Sequence, residues 1–184
     1  MDRRHSLGLL GVIVTSLAWP KPARATTARA LSLPDLVTRS SRVVLGTPLE
    51  GTPRYEQIGE TRHIVTYTRF RVDELVQGGP QEPEILVRTL GGRLGQVGEI
   101  VHGEAELALN EACLMFVHTN TDGIDQVTAM AQGHYPMQSD ATGTLRLRPS
   151  RNMPHLLAAQ NSAVSVLSGA RLEEARTLIL GARR

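Results

Sequence analysis

Residues 61–78, TRHIVTYTRFRVDELVQG, alternate in polarity: Ile64, Thr66, Thr68 and Phe70 fall on one side, Val65, Tyr67, Arg69 and Arg71 on the other. A period of two is the mark of a half-buried β-strand and is incompatible with a helix, whose apolar positions recur about every 3.6 residues. From Val72 the chain is expected to bend out of line. Other strand-length segments surround it: RVVLGTPLEG ending in Gly and Pro, EILVRTL after the turn QGGP, the apolar run ACLMFVHT, then DQVTAMAQG, HYPMQSD and TLRLRP. Thr119-Asn-Thr-Asp-Gly123 is hairpin-turn chemistry. Strands at this spacing without long helices between them predict a mainly β fold, a small antiparallel barrel or sandwich.

Helices are expected at the two ends. Ser32 is placed as an N-cap, Pro34 in the first turn and Asp35 where it meets the first backbone N–H groups, giving a helix over about 33–40 with Leu33, Leu36 and Val37 on one face. At the other end HLLAAQNSAVSVL reads as a Ser/Asn-weakened helix, and ARLEEARTLIL as a better one closed by Gly181 at C′. Leu172, Ala175, Leu178 and Ile179 form its apolar stripe. That stripe packs on the β domain, or else the segment docks elsewhere through Arg171, Arg176, Arg183 and Arg184.

The first 25 residues differ in kind. A basic start, MDRRHS, precedes the apolar run LGLLGVIVTSLAW, and PKPARA ends in Ala23-Arg24-Ala25, a small-x-small cleavage pattern. The run is short of the ~20 apolar residues that a membrane span needs. A signal peptide at 1–25 is therefore expected, with a second Ala-x-Ala at 28–30 as the other cut, and the product would be periplasmic or extracellular with no integral membrane span. Arg3-Arg4 suggests twin-arginine export, but Ser6 stands where that signal has a bulky apolar residue, which favours the ordinary secretory route.

Removing this leader changes the charge balance. The chain has 20 Lys plus Arg against 18 Asp plus Glu. Residues 1–25 take away four bases and one acid, leaving a net charge of −1. The sequence pI of about 9.1 therefore carries no argument for nucleic acid as a partner. Residues 31–150 have net −5 and residues 151–184 net +3, which divides the mature chain into an acidic β domain and a basic helical segment. One cysteine excludes an internal disulfide. With six aromatic residues in the whole chain, the core must be Val, Leu and Ile, and stacking platforms for single strands or sugars are not provided.

LGGRLGQVG at 90–98 follows a strand pattern, so it invites a phosphate-loop reading. The spacing is Gly92-x-x-Gly95-x-x-Gly98, Gly103 would break any helix behind it, and Glu104 and Glu106 would repel phosphate. No Gly-Lys-Ser/Thr occurs. The loop is thus expected to be a β connection that needs glycine backbone freedom, and no cofactor is expected. His102, Glu104 and Glu106 alternate, and on a strand they would share a face. With Arg93 they are the candidate ligand or partner-binding residues, though no His-Glu-x-x-His or second His at ligand spacing supports a metal. His63, His118 and His134 are scattered, Cys113 sits in an apolar run that favours an inert thiol, and no Gly-x-Ser-x-Gly elbow is present. No catalytic residues are assigned.

LPDLVTRSSRVVLGTPLEG, TYTRFRVDELVQGG, EILVRTLGG, ACLMFV and MAQGHYPM, in that order over about residues 31–140, resemble a pattern of uncharacterised exported bacterial proteins. The pattern is also similar to the netrin-like domain of tissue inhibitors of metalloproteases. That resemblance implies a five-stranded OB-like barrel with strands at 42–50, 62–76, 84–90, 112–118 and 126–138. It does not carry over the inhibitory Cys-x-Cys, because the mature chain would begin near Thr26-Thr27 with no cysteine within 80 residues. The expected function is an exported, non-enzymatic binding module. Two other classes stay open: a regulator partnered with a secreted metalloprotease, and a secreted hydrolase with a dispersed site using His63, His102 or His134.

Overall fold

The computed structural model describes residues 27–183, so the signal peptide expected at 1–25 lies outside the described residues. In chain order the elements are β1 (Thr27–Arg29), α1 (Leu33–Arg39), β2 (Arg42–Ile58), β3 (Thr61–Gly78), β4 (Glu84–Leu90), β5 (Gly92–Leu94), β6 (Val97–Glu99), β7 (Cys113–Thr119), β8 (Asp125–Val127), β9 (His134–Ser139), β10 (Leu145–Leu147), β11 (His155–Leu157), α2 (Ala163–Leu167) and α3 (Leu172–Gly181). The fold is mainly β, as the alternation predicts. A seven-stranded sheet runs β10-β9-β7-β2-β3-β4-β8, and β8 also pairs with β7, so the strands build a larger sheet and not the small closed barrel expected. Not every neighbour is antiparallel, since β8 lies parallel to β4 and β1 parallel to β11.

Ser32 caps α1 as expected: its Oγ accepts the Asp35 N–H at 3.2 Å while its hydroxyl donates to the Asp35 carboxylate at 2.6 Å. The apolar run of β7 is explained by burial on both faces. Leu114 and Phe116 join α1, α2 and α3 in one core cluster, whereas Cys113, Met115 and Val117 face Val44, Phe70, Ile85 and Val87 in a second. The C-terminal helices enter the first cluster through Ala163, Leu167, Ala175 and Ile179, all at most 1% exposed. Arg176 bridges Glu74 of β3 and Glu173, so this cation is engaged within the fold. No helix among the described residues is long and apolar enough to cross a membrane.

Four boundaries depart from expectation. β2 continues past residue 50 to Ile58, through Pro48, Gly51 and Pro53. Beyond Gly46 it has lost β7 and, among the described residues, pairs only with β3, and an edge strand tolerates prolines that a central one would not. β3, by contrast, keeps its expected irregularity: it is strand as far as Gly78, with register shifts against β2 between Val72 and Gln77. The strand expected over 126–138 is broken into β8, a 3-10 turn at Met130–Gly133, and β9. Ala129 and Met130 have φ of +56° and +57°, left-handed backbone that ends any strand. The weak helix expected from His155 is strand β11 followed by the short α2. Gly181 is the last residue of α3 and Ala182 caps it, so the glycine does not occupy C′.

Candidate functional site

LGGRLGQVG folds as a small hairpin, β5 against β6, with no helix behind it. Its glycines do different work. Gly95 turns the hairpin at φ +63° with open space around it, whereas a Cβ on Gly92 would sit 2.3 Å from Thr66 Oγ1. The hairpin is fastened to β3 by Glu99, whose carboxylate accepts the Ile64 N–H and meets His63 Nδ1, both at 2.6 Å. The His63 hydrogen bond, with that of the Ile64 amide, holds the Glu99 carboxyl below its ordinary pKa.

Beneath and beyond this hairpin lies a cleft of about 450 Å³. Its floor is the end of the inward sheet face where threonines replace the aliphatic side chains. Thr66 and Thr89 are cross-strand partners, and Thr68 stands opposite Val87. The Thr66 hydroxyl donates to Gly91 O at 2.8 Å. The roof is the segment 99–107, pinned by Asn152, whose amide donates to Val101 O at 2.9 Å and Glu104 O at 3.3 Å. The Ala131 N–H holds Gly103 O at 2.9 Å. Ile100, 82% exposed, stands at the rim.

The segment carrying His102, Glu104 and Glu106 is a turn followed by irregular backbone, so the shared strand face is not formed. Gly103 takes φ +86°, and its own carbonyl is claimed by Ala131 and those of Val101 and Glu104 by Asn152, instead of by a neighbouring strand. Glu104 and Glu106 both line the cleft. Glu104 is buried at 8% exposure, its carboxylate accepting the Ala105 N–H at 2.9 Å and the Leu90 N–H at 3.2 Å. Burial raises its pKa, and the two amides and Arg88 offset part of that. His102 and Arg93 are exposed outside the cleft lining, Arg93 donating to Gly95 O within its own hairpin. The residues that sequence reasoning missed are Thr66, Thr68, Thr89 and Asn152. The first two were visible as polar side chains on the Ile64/Phe70 face.

Behind Glu104 is a second hollow of about 160 Å³. A cross-strand row, Arg88–Gln126–His118, spans β4, β8 and β7 there. His118 Nδ1 is buried without a hydrogen-bond partner among the described residues. Arg88 is bound at 3.1 Å to Glu56, which also accepts from Tyr67 OH at 2.6 Å. Among the described residues no group of three or more His, Cys, Asp or Glu could hold a metal ion.

The histidines do not converge on this cleft. His134 Nδ1 lies 3.0 Å from Ser150 Oγ, with both residues at most 3% exposed. Burial, aided by Arg151, lowers the His134 pKa to about 4. Cys113 is buried as well, and desolvation pushes its thiol up. A His pKa depressed by folding means that the unfolded chain binds the extra proton first. Stability is therefore full above the unfolded value near 6.5 and falls as pH drops toward about 4. His134→Gln is expected to flatten the fall in urea midpoint between pH 6.5 and 4.5, and an unchanged slope would contradict it. Asp140, whose carboxyl is held low by Thr142 and Arg146, loses its contribution only at more acid pH.

Comparison with family models, with curated proteins and with solved structures returns no match.

Proposed function

We propose that the mature chain is an exported binding module on an OB-like frame, presenting the cleft under residues 99–107 to a ligand or partner. The carrying observation is the cleft itself, a hollow of about 450 Å³ floored by threonine hydroxyls where aliphatic core ends, with Ile100 exposed at its rim. Few convergent polar groups in an otherwise well-packed sheet are what binding sites are made of. The OB-like frame is supported by the order of pairing. Within the seven-stranded sheet β2, β3, β4 and β8 pair in that order and β7 pairs with both β2 and β8, with β4–β8 parallel and the other four contacts antiparallel. The netrin-like resemblance belongs to the same proposal.

The test is capture from culture supernatant by the immobilised mature protein. Ile100→Asp alters a rim side chain that packs little in the fold and is expected to reduce recovery of the captured partner at least tenfold. Leu180→Asp, on a helix that does not line the cleft, is the control. Equal recovery by wild type and Ile100→Asp removes the cleft from the function.

A further inference from the structure

Two cleavage patterns, ending at Ala25 and at Ala30, are written into the leader, and the folded protein distinguishes them. Residues 27–31 are woven into it. Thr27, Ala28 and Arg29 pair with His155, Leu156 and Leu157, and among the described residues this parallel pairing is the one strand contact of β11. The Ala30 N–H continues the ladder to Leu157 O at 3.1 Å. Gln132, 6% exposed, reads the same stretch from the other side: its amide N–H donates to Arg29 O at 3.1 Å and its Oε1 accepts the Leu31 N–H at 2.9 Å. Leu31 O then accepts the Ala163 N–H at 2.7 Å, and Ser32 bridges Ser162, the N-cap of α2.

We infer that the leader is processed between Ala25 and Thr26, because cleavage after Ala30 would remove a strand that the folded protein uses. The step is hydrolysis by a leader peptidase: water adds across the Ala25–Thr26 bond, giving a carboxylate on Ala25 and an amine on Thr26. The new terminus then lies one residue before β1. Cleavage after Ala30 would leave β11 unpaired and the buried Gln132 amide N–H without Arg29 O. It would also set an ammonium group on Leu31, a residue packed against the helical core cluster. Unsatisfied buried donors and desolvated charge are costly. This inference rests on the export reading proposed above and fails separately from it.

The experiment is the intact mass of the full 184-residue chain after expression in an exporting bacterial host. A product starting at Thr26 is expected. A product starting at Leu31 overturns the inference while leaving export intact, and a periplasm-free, uncleaved chain overturns export and the inference together. As a second measurement, protein made directly from Leu31 is expected to melt about 5 °C or more below protein made from Thr26, since about 1 kcal/mol moves Tm by about 2–4 °C at this size. Gln132→Ala is expected to lower the Tm of the longer form by several degrees more than that of the shorter. Equal melting of the two forms contradicts a structural role for residues 27–30.

Discussion

Gly46→Ala is expected to lower the unfolding free energy of the mature protein by about 4 kcal/mol, near the upper end for single substitutions. Gly46 sits on β2 where that strand is flanked by both β3 and β7, beside a register shift between Leu45 and Gly46. A Cβ there would lie 2.0 Å from Arg71 O and 2.6 Å from Phe70 Cε1. The first of these is backbone in a strand paired on both sides, and the second is a ring that is fully buried, so neither can yield by rotating aside. Gly98→Ala is the matched control, its Cβ meeting nothing closer than Gly92 O at 3.9 Å, and is expected to change stability by no more than about 0.5 kcal/mol. Urea midpoints of the two variants measure the contrast. Equal midpoints would mean that the close approach of β2 and β3 at Gly46 is wrong.

Ending the chain after Ser168 is expected to be worse still, costing about 5 kcal/mol or more and leaving the product partly unfolded at 37 °C. The removed helix carries Ala175 and Ile179, both fully buried, and Leu178 partly so. Their loss uncovers Leu33, Leu36 and Val37 on α1, and burial of each large aliphatic side chain is worth about 1.5–3 kcal/mol. The backbone suffers too. Gly169 and Ala170 act as a further partner for β10, exchanging hydrogen bonds with Leu147 at 2.8 and 3.0 Å, while Gly169 O also accepts from Arg146 at 2.9 Å. Glu74 would lose Arg176 in the same cut. If α3 served only to dock elsewhere through its arginines, the truncated protein would melt with the full-length one.

What could be read from the residues alone follows from the range of the forces involved. Ser32 and Asp35 act within one turn, and the alternation around Phe70 reports a single sheet face, so α1 and β3 were legible. β2 was not, because the tolerance of Pro48 and Pro53 depends on where β7 stops pairing, which no local pattern encodes. The same holds for 126–138. A left-handed Ala129-Met130 pair is uncommon for residues with a Cβ, and the chain accepts it where Thr128 N–H reaches Phe116 O and Ala131 N–H reaches Gly103 O. In the cleft, the alternation of His102, Glu104 and Glu106 suggests a shared strand face. The structure instead buries Glu104 and joins Thr66, Thr89 and Asn152 across 86 residues of sequence. Arg93 and His102 lie near Glu104 along the chain but stay exposed outside the cleft lining.

The claim that the cleft is where this protein binds is tested most directly by hydrogen exchange on the mature protein, with and without the partner captured from culture supernatant. Slowed exchange is expected at amides of residues 66–68, 89–92, 99–107 and 151–152, with β10 and α3 unchanged. Protection confined to α3 and β10, or spread without preference over the sheet, would contradict the account.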